Sequence, residues 1–185
     1  MASYAEELID TARHLLVRQP KQRGRLPTAR VRRSISTSYY ALFHFLLDQV
    51  SYQLVGSTND VRRRRHVFAR VLTHIGINAA LERVKGANVD SNVANFMRSG
   101  IVAGIPVPSP DFARKMAGAF AGAQAARHFA DYDRNYPIIA ENAVQVLDRV
   151  EEAIAAWTAA NTASDRDFKK ALSLLITLRG KLRSD

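Results

Sequence analysis

The sequence predicts an all-α protein, and three observations lead to this prediction. Residues 28–55 contain neither glycine nor proline, so nothing in the stretch prevents one long helix. Along most of the chain, apolar residues recur every three or four positions, which is the spacing of one helix face. No segment alternates apolar and polar residues as a strand would, and no internal repeat is visible.

The first half of the chain carries clear helix signals. Ser3 and Glu6 form a capping-box pattern that opens a first helix, and Gly56 is placed to end the long helix. Residues 57–59 are of types that can cap a third helix. The helices predicted here cover residues 4–19, 28–55, 57–75 and 78–85.

The second half opens with a stretch rich in glycine and proline. For residues 86–110 we predict a long loop with a helical turn near 93–97. Ser109 and Pro110 then start a helix over 110–132, and Pro137 opens another over 138–160. Ser164 and Asp167 are expected to cap a last helix. We divide the chain into a helical domain over 1–161 and a C-terminal helical extension over 162–185.

The helix over residues 28–55 is predicted to be central. Its wide apolar face, with Leu42 at the middle, is typical of a helix that has neighbours on several sides. A narrow polar stripe remains, formed by Arg33, Thr37, Tyr40 and His44.

Composition and charge favour an anionic partner. The net charge is +10, and 21 of the 27 basic residues are arginine, the better bidentate ligand for phosphate. A genome whose base composition favours arginine codons is the competing explanation for the arginine excess. The absence of cysteine excludes disulfides and thiol catalysis. With no apolar run of membrane-spanning length and an acidic rather than signal-like N-terminal segment, we expect a cytoplasmic protein with no membrane partner.

Two segments carry a resemblance to a known family. Residues 32–44 read RRSISTSYYALFH, and residues 127–133 read RHFADYD. Both are similar to motifs of the HEPN superfamily, the nucleotide-binding domains found in higher eukaryotes and prokaryotes. The resemblance covers most of residues 4–160. It implies an up-and-down bundle of four to five main helices, here with an extra C-terminal helix, that pairs as a homodimer.

The resemblance also implies a range of functions. Many members are metal-independent ribonucleases, several of them toxins neutralised by a small nucleotidyltransferase-like partner. Others only bind nucleotides or serve as interaction modules. Active members carry an arginine followed, after four to six residues, by a histidine, and this spacing precedes none of the five histidines here. The sequence therefore favours binding over catalysis.

The residues with the best claim to chemistry are Arg127, Asp131 and Tyr132. Cleavage of RNA by its own 2′-hydroxyl needs a base, an acid and a cation for the charged intermediate, and Arg127 supplies a cation. Asp131 lies one helical turn later, where it can pair with Arg127 or act as a weak base. Tyr132 can donate a hydrogen bond. The alternative is that these residues form a polar network that only stabilises the helix end.

Further side chains are expected to contact a ligand, and the polar stripe of the long helix is expected to face the same cleft as Arg127. For His44 the competing interpretation is a hydrogen-bonded core histidine, and for the arginine run at 62–65 it is a solvated face. The candidate ligand-binding residues are Arg33, Tyr40, His44, His128 and Arg134. The candidate nucleic-acid backbone contacts are Arg30, Arg32, Arg62 and Arg65.

Other functional classes lack their motifs. The chain has no Glu-x-x-His pairs for a di-iron bundle and no glycine-rich loop between strand and helix, so we expect neither metal nor cofactor. A helix-turn-helix near residues 57–85 has no convincing turn. We therefore predict a HEPN-like protein that binds RNA, nucleotide or an acidic partner through an arginine-rich cleft. A toxin ribonuclease and a pure protein-interaction module are the alternatives.

Overall fold

The prediction of an all-α protein is confirmed. The computed structural model describes residues 3–18, 23–97 and 107–179, and within these ranges it contains eight helices and no strand, with one isolated antiparallel bridge between Asn88 and Pro108. None of the described helices is long and apolar enough to cross a membrane. The helices are α1 (Tyr4–Leu16), α2 (Thr28–Val55), α3 (Arg62–Ala69), α4 (His74–Glu82), α5 (Ser91–Met97), α6 (Asp111–Tyr132), α7 (Ala140–Ala159) and α8 (Ala163–Thr177).

The first two helices begin where the sequence predicted. Ser3 caps α1 through a complete capping box with Glu6. The helix ends at Leu16 rather than 19, because Val17 adopts an extended backbone, and residue 19 lies outside the described ranges. α2 has the predicted bounds, and Gly56 follows it with a φ of +104°, a conformation that favours glycine.

The third predicted helix is wrong in its extent. The structure ends α3 at Ala69 and starts α4 at His74, because the Thr73 side chain accepts a hydrogen bond from the Gly76 N–H and caps a new helix. No side chain caps α3, and the predicted caps at 57–59 are not used. None of the residues of α3 is buried. Ile75, an apolar residue near the end of the predicted helix, is 81% exposed.

The later helices follow the predicted order with shifted ends. α5 confirms the helical turn expected near 93–97, and residues 98–106 of the predicted loop lie outside the described ranges. The cap predicted for the last helix is wrong. Thr162 and Asp165, not Ser164 and Asp167, form the capping box of α8. A hydroxyl residue followed three positions later by aspartate also occurs two positions earlier, and that earlier pair closes the box in both directions.

The described residues divide into two compact units. The first comprises Met1–Phe45 and Ala119–Ala155, and the second comprises Leu46–Gly118 and Ala156–Asp185. α8 therefore belongs with α4 and α5, and the predicted domain boundary between 161 and 162 stays a prediction. In the first unit, small side chains let α1, α2, α6 and α7 pack closely. Its two buried clusters are Ile9, Ala12, Ala41 and Leu147, and Val31, Ile35, Ala130 and Ala143.

The second unit is built around Trp157. Its indole ring is 1% exposed, packs edge-on against Phe112 at 5.5 Å, and donates its N–H to the Gln49 side chain at 3.1 Å. The buried ammonium of Lys169 donates to the carbonyls of Trp157 and Ala160, and so closes the C-terminus of α7. Burial lowers the pKa of Lys169, and the charge of Asp165 opposes that shift.

Arg32 closes the C-terminus of α6 in the first unit. Its guanidinium donates to five backbone carbonyls at 2.8–3.1 Å, which are those of Phe129, Ala130, Asp133, Arg134 and Tyr136. The last carbonyls of a helix have no partner within the helix and carry partial negative charge, so a cation is stabilising there.

Loss of this cap should lower stability measurably. We expect Arg32→Met to reduce the free energy of unfolding by about 1.5–3 kcal/mol, the range for hydrogen bonds to a charged group. Arg33→Met, one residue on and exposed, should change it by less than about 0.5 kcal/mol. Urea unfolding of the two variants makes this comparison. Equal effects would show that the five carbonyl contacts add no stability.

Candidate functional site

Arg127 and Asp131 pair across one turn of α6, as the spacing predicted. The Arg127 Nε donates to the Asp131 carboxylate at 2.9 Å, and the two side chains are 21% and 28% exposed. Both therefore lie at the edge of the packed first unit rather than in open solvent. Pairs at this depth lose less to solvent screening than fully exposed pairs do.

Residues of α2 complete a polar cluster around this pair. The Ser36 hydroxyl donates to the second oxygen of the Asp131 carboxylate. The Arg127 guanidinium lies 4.9 Å from the ring centre of Tyr40 and 5.3 Å from that of Tyr39, within the distance of a cation–π contact. We call Ser36, Tyr39, Tyr40, Arg127 and Asp131 the Arg127 cluster. It joins α2 to α6 within the first unit.

The charges in this cluster shift two pKa values. Burial raises the pKa of Tyr39 to about 12, and the neighbouring Arg127 opposes that rise. Partial burial alone would lower the pKa of Arg127. The hydrogen bond that Arg127 donates to Asp131 and the electrostatic interactions with Tyr40 and Asp131 outweigh burial, so the pKa of Arg127 is raised. At neutral pH the cluster therefore holds a fixed guanidinium cation and a protonated Tyr39.

The raised pKa of Tyr39 predicts a loss of stability at high pH. A tyrosine ionises near pH 10 in the unfolded chain but near 12 in the fold, so the folded protein binds the extra proton between these values. The stability that this proton gives is complete below pH 10 and is lost as pH rises towards 12.

Between pH 9 and 11.5 we expect wild type to lose about 2 kcal/mol more stability than Tyr39→Phe, which has no phenol at this position. Urea unfolding at the two pH values measures the difference. Equal losses in the two proteins would show that the phenol of Tyr39 ionises as readily in the fold as outside it.

The other predicted site residues are not all gathered in this cluster. Tyr132 is 69% exposed, and its ring lies 5.3 Å from that of His128, which is also exposed. His44 is half-buried and packs edge-on against Tyr4 at 4.8 Å, so its aromatic surroundings are those of a packed residue. Arg33 and Arg134 are exposed. From the polar stripe on α2, Tyr40 is in contact with Arg127.

Of the four arginines predicted to contact the nucleic-acid backbone, three donate to carbonyls of the protein's own backbone. Arg32 donates to the end of α6, and Arg30 donates to the carbonyls of His14 and Val17 at the end of α1. Arg65 donates to the carbonyls of Gly56 and Thr58 just beyond α2, and its guanidinium lies 4.5 Å from the ring centre of Tyr52. Arg30 and Arg32 therefore close helix ends, and Arg65 holds the segment that follows α2. Arg62 is exposed on α3 in the second unit, and its phosphate contact stays a prediction.

Sequence reasoning missed Ser36 and Tyr39 as site residues. The available signal was spacing, because Ser36, Tyr39 and Tyr40 lie three and four residues apart and share one side of α2. The spacing identifies a site only once α6 places the Asp131 carboxylate beside the Ser36 hydroxyl.

No metal site is apparent in the described ranges, where no three histidine, aspartate or glutamate side chains are placed to share an ion. Comparison of the chain with protein-family models, with curated proteins and with solved structures found no match.

Proposed function

We propose that this protein is a HEPN-like binding module that holds the phosphates of RNA or of a nucleotide at the Arg127 cluster, without strong catalytic activity. The observation that carries the proposal is a fixed guanidinium with an exposed edge. Arg127 is held by Asp131 at 2.9 Å and lies over Tyr40 at 4.9 Å, while 21% of its side chain stays exposed.

A guanidinium held in this way suits an anionic ligand. Because Nε is bonded to Asp131, the Nη groups form the end of the fork that a phosphate would meet. The aromatic rings and Asp131 restrict the side chain before binding, so less conformational entropy is lost when a ligand arrives. The net charge of +10 favours approach of a polyanion.

The groups around Arg127 favour binding over cleavage. Both oxygens of the Asp131 carboxylate accept hydrogen bonds, one from Ser36 and one from Arg127. A pKa of about 12 makes Tyr39 unable to take a proton at neutral pH. The spacing of arginine and histidine that marks active members is also missing from the sequence. A metal-independent ribonuclease remains the alternative that an activity assay must test.

The similarity of residues 32–44 and 127–133 to HEPN motifs supports the wider proposal. We extend the proposal to a homodimer in the cytoplasm and to a small nucleotidyltransferase-like partner, as in toxin–antitoxin pairs. The Arg127 cluster joins these two segments. Ser36, Tyr39 and Tyr40 belong to the first segment, and Arg127 and Asp131 belong to the second.

The binding test compares two arginines of the same helix. Arg127→Gln should weaken affinity for a single-stranded RNA by about tenfold or more, the consequence of losing charge-assisted hydrogen bonds to phosphate. Arg114→Gln removes the same charge from another arginine that pairs with an aspartate of α6, at 3.2 Å, and should weaken binding less than about threefold. Fluorescence anisotropy at two salt concentrations measures both affinities.

Three results would contradict the proposal. Absence of RNA and nucleotide binding by wild type at low salt would favour the protein-interaction module. Equal losses in the two variants would mean that only net charge matters. Cleavage of RNA in EDTA that disappears in Arg127→Gln would establish the ribonuclease instead.

A further inference from the structure

A cleft lies in the second unit, between the C-terminal half of α2 and the helix α3. It has a volume of about 660 Å³, within the range of small-molecule sites in proteins. Asp48, Ser51 and Tyr52 line it from α2, spaced three and four residues apart. From α3, the lining residues Arg62 and His66 are also one turn apart. One face of α2 therefore forms one wall of the cleft, and one face of α3 forms another.

The cleft contains a buried hydroxyl with no partner. Ser51 is 2% exposed, and among the described residues its Oγ has no hydrogen-bond partner. A buried serine in a helix usually donates to the carbonyl one turn before it, as Ser38 does to Ser34. An unsatisfied buried hydroxyl costs about 1–3 kcal/mol, so its presence in a cleft wall points to a polar group that binds there.

The cleft is lined by charged groups of both signs and by an aromatic ring. Arg62, Arg63 and His66 supply cationic or hydrogen-bond-donating side chains from α3, and Asp48 and Asp60 add carboxylates. Tyr52 is 44% exposed, and the Arg65 guanidinium stacked on its ring holds that ring in place. Guanidinium groups, carboxylates and an aromatic ring are suited to bind the phosphate, the sugar hydroxyls and the base of a nucleotide respectively.

We propose that this cleft binds a nucleoside phosphate. Arg62 and Arg63 would contact the phosphate, Tyr52 would stack on the base, and the Ser51 hydroxyl would donate to a ligand oxygen. The ligand is either a free mononucleotide or the 5′-phosphorylated end of an RNA strand, since both present the same chemistry. This proposal is independent of the Arg127 cluster, because the two sites share no residue.

The test titrates the full chain with adenosine 5′-monophosphate by calorimetry. Arg62→Gln should weaken binding by about tenfold or more. The matched control is Arg64→Gln, which removes the same charge from α3 at a position that does not line this cleft, and should weaken binding less than about threefold. Adenosine, which lacks the phosphate, should also bind at least about tenfold more weakly than the nucleotide. Equal effects of the two arginine variants, or no binding by wild type, would overturn the proposal.

Two further arms separate the interpretations. Ser51→Ala should weaken nucleotide binding by about three- to tenfold without lowering the melting temperature, because it removes a hydroxyl that has no partner in the fold. Unchanged binding would contradict the role of that hydroxyl. Because the proposed function also places a nucleotide phosphate at Arg127, the binding event assigned to this cleft is the one that Arg62→Gln weakens and Arg127→Gln does not. If Arg127→Gln abolishes binding and Arg62→Gln does not, the nucleotide binds at the Arg127 cluster and the second site is wrong.

The source of the phosphate follows from a pair of RNA tetranucleotides. A 5′-phosphorylated tetranucleotide that binds as tightly as the mononucleotide, and more tightly than its 5′-hydroxyl counterpart, identifies a strand end as the ligand. If the phosphorylated tetranucleotide binds more weakly than the mononucleotide, the free mononucleotide is the ligand, because the walls of the cleft then exclude the following nucleotides of the strand. Binding of both tetranucleotides with equal affinity would overturn recognition of the terminal phosphate.

Discussion

Leu42→Ala should lower the free energy of unfolding by about 2–5 kcal/mol, the usual cost of removing a buried leucine side chain. Leu42 is 0% exposed on α2, one residue beyond Ala41, which packs against α1 and α7 in the first unit. The size of the effect depends on how far the surrounding side chains can collapse into the space, and a leucine with no exposed surface has packed neighbours on every side. Urea unfolding measures the change.

Two controls separate burial from the substitution itself. Leu174→Ala removes the same atoms from a side chain that is 39% exposed and should cost less than half as much. Arg64→Ala on α3 should fall within about 0.5 kcal/mol of wild type, because that side chain is exposed. A denaturation midpoint for Leu42→Ala close to wild type would show that α2 does not carry the core of its unit.

Trp157→Ala should be the more damaging of the two changes, at about 3–5 kcal/mol. The indole is almost fully buried, packs edge-on against Phe112 and bonds Gln49 at 3.1 Å. Alanine would leave a large cavity and also an amide without its partner. Because Trp157 is the only tryptophan, its loss also removes the fluorescence signal, so circular dichroism should follow the unfolding.

Trp157→Phe separates the cavity from the hydrogen bond. It keeps most of the ring and loses the N–H, so we expect about 1–2 kcal/mol, less than half of the alanine effect. If phenylalanine costs as much as alanine, the bond to Gln49 rather than packing dominates at this position.

Hydrophobic spacing was sufficient to predict the long helices. α2 has the bounds that the glycine- and proline-free stretch predicted, and Gly56 ends it in the conformation that glycine favours. These signals are local, since each depends on residues within one or two turns. The prediction of one helix over residues 57–75 was wrong because it depended on the same kind of local spacing. Val71 and Ile75 continue an apolar spacing but are 56% and 81% exposed, and the local cap at Thr73 ends the continuity.

The use of the arginines could not be read from the sequence. Arg30, Arg32 and Arg65 fit the pattern of a basic surface, yet each donates to backbone carbonyls at a helix end or just beyond it. The carbonyls that Arg32 contacts lie about 100 residues away along the chain, so spacing gives no information about them. Net charge predicts an anionic partner but does not tell which guanidinium groups the fold itself occupies.

The candidate site was predicted in part. The pairing of Arg127 with Asp131 follows from a spacing of four residues on one helix and is confirmed. Ser36 and Tyr39 entered the cluster only through contact between α2 and α6, which no local pattern encodes. His44, expected in the same cleft, packs instead against Tyr4.

The central proposal, that Arg127 contacts the phosphate of RNA or a nucleotide, is tested most directly by the NMR signal of its own guanidinium. The Nε–H of Arg127 is bonded to Asp131, which should slow its exchange with water and make its ¹⁵N–¹H resonance observable; loss of the peak in Arg127→Lys assigns it. We expect this resonance to shift progressively as a single-stranded RNA is added and to stop at saturation. An unmoved Arg127 resonance, while resonances of other arginines shift as the RNA binds, would contradict the account.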